Sequence, residues 1–269
     1  EQIALTGAVI ALPAGSISIA SLNKNGARWS SKGAATGVPL NYLAQFSPAL
    51  RDNMRGDLAL GGEWGLDLQP AASAGGTPQL AGMVHVFRER GDLIMGADVP
   101  VVLGLRVLDL RADVAGNALR TRLNVDGTRA GVAQVDATAQ LVNGRIGNAS
   151  PLRLSANADM ASIGWMAPLS GQPGLELDGT MKVALTGGGT IGAPTLNGTI
   201  NGANLAVRWP EQGVKLRNGQ LVAQLAGDQM LLQRLSFDGV QGNALANGSI
   251  RFAGGEATMQ LKLVADKLE

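Results

Sequence analysis

Leu185-Thr-Gly-Gly-Gly-Thr-Ile-Gly-Ala-Pro-Thr-Leu-Asn-Gly198, in one-letter code LTGGGTIGAPTLNG, separates two folds. Gly187, Gly189 and Gly192 stand as Gly-x-Gly-x-x-Gly directly after an apolar run, the spacing of a dinucleotide-binding loop. That loop functions because a helix succeeds it and presents its N-terminal amides to the pyrophosphate. Here Pro194 comes next, and Thr195, Asn197 and Thr199 then alternate with Leu196, Gly198 and Ile200. A period of two belongs to a strand, whose successive side chains point to opposite faces. The stretch reads as a turn that enters a strand, and no nucleotide affinity is expected of it.

The same alternation extends outward in both directions. Met181, Val183 and Leu185 alternate with Lys182, Ala184 and Thr186, and Leu119, Thr121, Leu123 and Val125 with Arg120, Arg122, Asn124 and Asp126. Shorter runs of the kind are Ile17-Ile19, Leu58-Leu60, Leu152-Leu154, Leu205-Val207-Trp209, Leu221–Leu225, Leu235-Phe237, Ile250-Phe252 and Met259-Leu261-Leu263. Asn-Gly and Asp-Gly pairs at 25–26, 126–127, 143–144, 178–179, 218–219, 238–239 and 247–248 read as tight antiparallel turns. Together these predict a long all-β meander of about sixteen strands or more, each with one apolar and one polar face.

Two segments depart from period two. Val38–Phe46 places Leu40 and Leu43, and Ile163–Leu169 places Ile163 and Met166, at helical spacing, which predicts two short helices. Similar material comes after each. Met54–Gly62 resembles Leu177–Gly188, Gly76-Thr-Pro-Gln-Leu-Ala-Gly82 resembles Gly192-Ala-Pro-Thr-Leu-Asn-Gly198, and Arg122–Gly127 resembles Arg234–Gly239. These matches divide the chain into leading strands 1–32, a first copy 33–150 and a second copy 151–269, in one continuous unit. The opening glycines therefore belong to a structural repeat.

Composition narrows the function classes. Lys and Arg number 22 against 21 Asp and Glu, a formal charge of +1 without a long basic run, so nucleic acid is not an expected partner. No cysteine is present, and His85 is the only histidine, which leaves no His-Glu-x-x-His pair and no Ser elbow for a triad. Carboxylates such as Glu63, Asp67, Asp126 and Asp238 stand mostly at turn signals. Neither an enzyme nor a cofactor is expected. The chain opens at Glu1 without Met and contains no apolar run long enough for a membrane helix, so it reads as a piece of a longer protein.

Hydrophobic residues make up 45% of the chain but aromatic residues only 3%, so the apolar stripe is aliphatic. Two short helices cannot cover so many strands, and the sheet must cover itself, either as a sandwich or as a lengthwise gutter. Composition alone favours the sandwich. The order of helix, Gly-rich hairpin, Gly-x-Pro-x-Leu-x-Gly, Gly213–Leu225 and Leu235-Ser-Phe-Asp-Gly239 resembles the C-terminal domain family of TamB, over most of residues 30–255. That resemblance implies a β-taco, a long curved antiparallel sheet folded into a gutter with a hydrophobic interior groove, in the periplasm of a Gram-negative bacterium. It also implies the AsmA-like, bridge-like lipid transfer group, an inner-membrane anchor outside this segment, and a TamA-like outer-membrane barrel as partner.

On this reading the groove residues are Leu58, Leu60, Leu123, Val125, Val183, Leu185, Leu205, Val207, Leu225, Leu235, Phe237, Ile250, Phe252, Leu261 and Leu263. The expected ligand is phospholipid or another acyl chain carried between inner and outer membranes. The alternatives are a chaperone or scaffold for outer-membrane protein (autotransporter) assembly and a passive spacer.

Overall fold

The computed structural model describes residues 2–44, 54–71, 76–96, 100–253 and 256–266. Its strands are β1 (Gln2–Leu12), β2 (Gly15–Asn25), β3 (Arg28–Pro39), β4 (Met54–Gly56), β5 (Ala59–Gln69), β6 (Gln79–Arg90), β7 (Leu93–Met95), β8 (Val101–Val102) and β9 (Leu105–Ala115). They continue with β10 (Ala118–Gly127), β11 (Gly131–Gln140), β12 (Leu152–Met160), β13 (Glu176–Thr190), β14 (Ala193–Trp209), β15 (Val214–Gly227), β16 (Gln229–Asp238), β17 (Asn243–Ala253) and β18 (Glu256–Asp266). Fifteen of them form one sheet in the order β1-β2-β3-β5-β6-β9-β10-β11-β12-β13-β14-β15-β16-β17-β18, and β4, β7 and β8 form a small second sheet. Every pairing in the large sheet is antiparallel, and β1 and β18 lie at opposite edges, so it is not closed into a barrel. The two-sheet sandwich that composition favours does not form, and the alternating strands stay in one long curved layer.

The stretch from Leu185 to Gly198 is the hairpin between β13 and β14. Thr190 pairs with Ala193 around a two-residue turn, Ile191-Gly192, and Leu185 runs opposite Gly198. A 17-residue strand begins directly after Gly192. Gly198 and its counterpart Gly82 have φ of 143° and 134°, and a Cβ at either would run into a backbone carbonyl on the neighbouring strand, that of Ala184 or Gly65. The last glycine of both Gly-x-Pro-x-Leu-x-Gly motifs thus serves the same close approach of two backbones.

Three pairs read as turns lie inside strands instead: Asp178-Gly179 in β13, Asn218-Gly219 in β15 and Asn247-Gly248 in β17. The positive φ that suits a turn is used there for irregular pairing. Gly179 (φ 116°) opposes the extra residue Asn204 (φ 52°) where the β13–β14 register shifts, and Asn218 (φ 53°) sits at the β15–β16 shift between Arg217 and Gln220. Such bulges bend a strand and raise its local twist, which lets strands of 14 to 17 residues curl.

Helix forms in both segments where the spacing predicts it. The first is α1 (Leu40–Ala44), with Gln45 and Phe46 outside the described residues, and the second is a 3-10 helix, Gly164–Ser170. Around each helix the element order is similar. β3 precedes α1, and β5, β6, β9, β10 and β11 succeed it in the sheet; β12 precedes the 3-10 helix, and β13 to β17 succeed it. Position 33 falls within β3, and 151 immediately precedes β12. The copies differ at Met54–Gly62, where β4 and β5 are separate strands, whereas Leu177–Gly188 lies within the single strand β13.

The tightest core lies at one end of the strands of the first copy. Leu58, Leu60, Leu93, Met95, Leu103, Leu105 and Ala130 are buried together, with Leu40 of α1 and Trp165 of the 3-10 helix against them. Here the three-stranded sheet and both helices plug the apolar side of the large sheet.

Candidate functional site

Residues directly opposite on adjacent strands share a face, so the register assigns every side chain in the sheet. Val183 pairs with Ala158 and Ile200, and Leu185 with Ala156 and Gly198. From there toward β1 the same face carries Val135, Leu123, Leu110 and Val86, then Trp64, Ile17, Ile10 and Leu5. Toward β18 it carries Leu225, Leu221, Leu235, Met230 and Ile250, then Leu261 and Leu263. Polar interruptions occur at Ser31 and Thr121 and, near strand ends, at Lys24 and Arg88. Ser31 is occupied: its Oγ accepts a hydrogen bond from Trp64 Nε1 at 2.9 Å.

Charge gathers on the opposite face. Arg122 Nε lies 2.6 Å from Asp136 Oδ1, Lys182 Nζ 3.0 Å from Asp159 Oδ2, and Arg111 Nε 3.0 Å from Asp113 Oδ2. Arg106–Asp126 and Arg208–Glu176 add further cross-strand pairs. Guanidinium hydrogen bonds hold the carboxyls of Asp126 and Asp136 below the usual carboxylate range. These exposed pairs contribute little stability individually, but they keep one face wetted and so set which face is left for apolar contact.

Of the fifteen residues expected in the groove, Leu60, Leu123, Val125, Val183, Leu185, Leu205, Val207, Leu225, Leu235, Phe237, Ile250, Phe252, Leu261 and Leu263 fall on the apolar face. Leu58 does not. It lies between β4 and β5, 1% exposed, inside the plug. Alternation places it two residues before Leu60, but the sheet strand begins only at Ala59. Residues of this face that the sequence reading misses include Val84, Ala112, Ala133, Ala137 and Met160. Alanine and glycine between longer side chains blur the alternation that marks a strand.

The apolar face is incompletely covered. The accessible surface is 15,715 Å², against roughly 11,000 Å² for a compact monomer of this mass. At the β18 edge Leu263 is 69% and Met259 63% exposed. Comparison with known protein families, with curated proteins and with solved structures gave no match. The geometry of the face is therefore the basis for a functional reading.

Between the plug and the opposite strand ends lies a cavity of about 340 Å³, lined by Leu66, Val84, Val114 and Leu119 of the sheet and by Leu141 and Ile146 of the β11–β12 connection. Among the described residues no group of three or more His, Asp or Glu is placed to hold a metal ion, and no helix is long and apolar enough to cross a membrane.

Proposed function

We propose that this chain is a segment of a TamB-like periplasmic protein whose aliphatic gutter shields phospholipid acyl chains in transit between the inner and outer membranes. The observation that supports it is the continuous apolar face, which runs through fifteen strands and is left without a second sheet over most of its length. An acyl chain drawn from a bilayer into water costs about 0.8 kcal/mol per methylene. A trough of Leu, Val, Ile and Ala offsets that cost at every position along its axis, so a lipid slides without being released. The activity is non-enzymatic and takes no cofactor. An inner-membrane anchor and a contact with a TamA-like barrel belong to parts of the protein outside this segment.

A second reading, assistance to outer-membrane protein strands, draws on the same face, whose exposed apolar residues would hold the alternating side chains of an extended polypeptide in place of an acyl chain.

Photo-crosslinking along one strand tests both readings. A benzophenone side chain at 183 or 185 is expected to capture phospholipid, and at 182 or 184 to capture none, because side chains alternate strictly. Outer-membrane protein in the adducts at 183 and 185 would favour the second reading. Internal protein contacts alone would sink both.

A further inference from the structure

Residues 141–150 join β11 to β12 as a strap across the strand ends. The Leu141 N–H donates to the Asn117 carbonyl at 2.9 Å, which carries the chain over the β9–β10 turn. Val142 and Arg145 then pair with each other around Asn143 (φ 53°) and Gly144 (φ 72°). The tip of this small hairpin reaches the first Gly-x-Pro motif. A Cβ on Gly144 would lie 3.0 Å from the Pro78 carbonyl oxygen and 3.8 Å from Thr77 Cβ.

The base of the strap is seated on the second Gly-x-Pro motif. The Gly192 N–H donates to the Asn148 carbonyl at 2.8 Å and the Ile191 N–H to that of Ser150 at 3.0 Å, with Ser150 wholly buried. A Cβ on Gly192 would meet Asn148 Cβ at 2.8 Å, so a side chain there displaces the strap. Gly192, the fourth glycine of LTGGGTIGAPTLNG, is thus the seat of a cover over the gutter.

We propose that the 340 Å³ cavity under this strap is a binding site for one acyl chain, and that the strap is its gate. The inference rests on the gutter reading above and adds to it a defined station. Small residues, Gly82 and Ala112, leave the floor low between Leu66, Val84, Val114 and Leu119. Among the described residues the lining offers no polar side chain, so water held against it makes fewer hydrogen bonds than in bulk. The volume lies at the low end of the ~300–1,000 Å³ typical of small-ligand sites. A linear hydrocarbon tail satisfies such a space, whereas a polypeptide segment would carry in backbone amides with nothing to pair them.

The 3.8 Å separation from Thr77 Cβ is within reach of a disulfide, although a side chain at Gly144 (φ 72°) is strained and its Cβ presses on the Pro78 carbonyl at 3.0 Å. The chain has no other cysteine to interfere, and Thr77→Cys with Gly144→Cys is the locked variant once thiol titration shows the bond formed. With 11-(dansylamino)undecanoic acid as a single-chain probe, oxidation is expected to slow entry and release at least tenfold, and dithiothreitol to restore both. Ala112→Trp, which fills the floor, is expected to weaken binding of the probe at least tenfold, and Val84→Phe serves in its place if that variant does not fold. Probe kinetics indifferent to a formed disulfide, or affinity indifferent to the filled floor, would overturn the proposal; where strain at Gly144 prevents the bond, the filled floor alone decides. Phospholipid capture at 183 reports the gutter reading separately. Capture there with an indifferent strap sinks the gate alone; no capture at 183 and no probe binding sinks both.

Discussion

His85 stands on the charged face, with Nε2 2.6 Å from Asp109 Oδ2, Nδ1 3.3 Å from Glu63 Oε1, and its ring centroid 5.0 Å from that of Phe87. The Asp109 hydrogen bond, aided by Glu63 and opposed by partial burial, raises the imidazole above its ordinary pKa of 6.5. A raised folded-state pKa means that the imidazolium's contribution to stability is fully present below about 6.5 and is lost as pH rises through the folded value. Urea midpoints measured from about pH 5.5 to about pH 8.5 should fall for the wild type and stay flatter for His85→Gln. Parallel curves would show that the imidazolium is not engaged. The sequence shows a lone histidine on a strand, and that much is legible. Its carboxylate partners are 22 and 24 residues away on other strands, and only the pairing register brings them to it.

Strands whose apolar side chains are long and regular are legible as elements. Leu119–Val125, Met181–Leu185 and Met259–Leu263 lie in β10, β13 and β18. β11, whose apolar side is Ala133, Val135, Ala137 and Ala139, lacks the contrast that alternation needs. Strands of two or three residues, such as β4, β7 and β8, are too short to show a period at all, so the plug is invisible in the sequence and Leu58 reads as a gutter residue. Leu58→Asp and Val183→Asp separate the two environments. In the closed core of the plug a carboxylate finds no partner, at a cost of several kcal/mol, and Leu58→Asp should abolish cooperative unfolding of the first copy. On the open face water reaches the carboxylate, and Val183→Asp should stay folded with a loss of about 1–2 kcal/mol. Circular dichroism with urea titration reads both, and equal collapse of the two variants would mean that Val183 is also in a dry core.

Alternation is the same in a sandwich and in a gutter, so the residues leave those architectures open; the structure has one large layer, covered at one end of its strands by the plug and at the other by the 141–150 strap. Fifteen strands about 4.8 Å apart give a body about 65–70 Å long. Small-angle scattering should return a radius of gyration above 20 Å, where a compact chain of 269 residues would give about 18 Å. A value at the compact limit would mean that the sheet folds back on itself in solution. The strand order has a further consequence, for assembly. Apart from the steps from β3 to β5 and from β6 to β9, each strand of the large sheet lies beside its predecessor in sequence, so no strand waits for a distant partner. Ring-closure entropy is paid in small instalments, and the chain can zip up hairpin by hairpin from either end. For the same reason the edges fray first, and damage to one hairpin stays local, as in a stack of repeats.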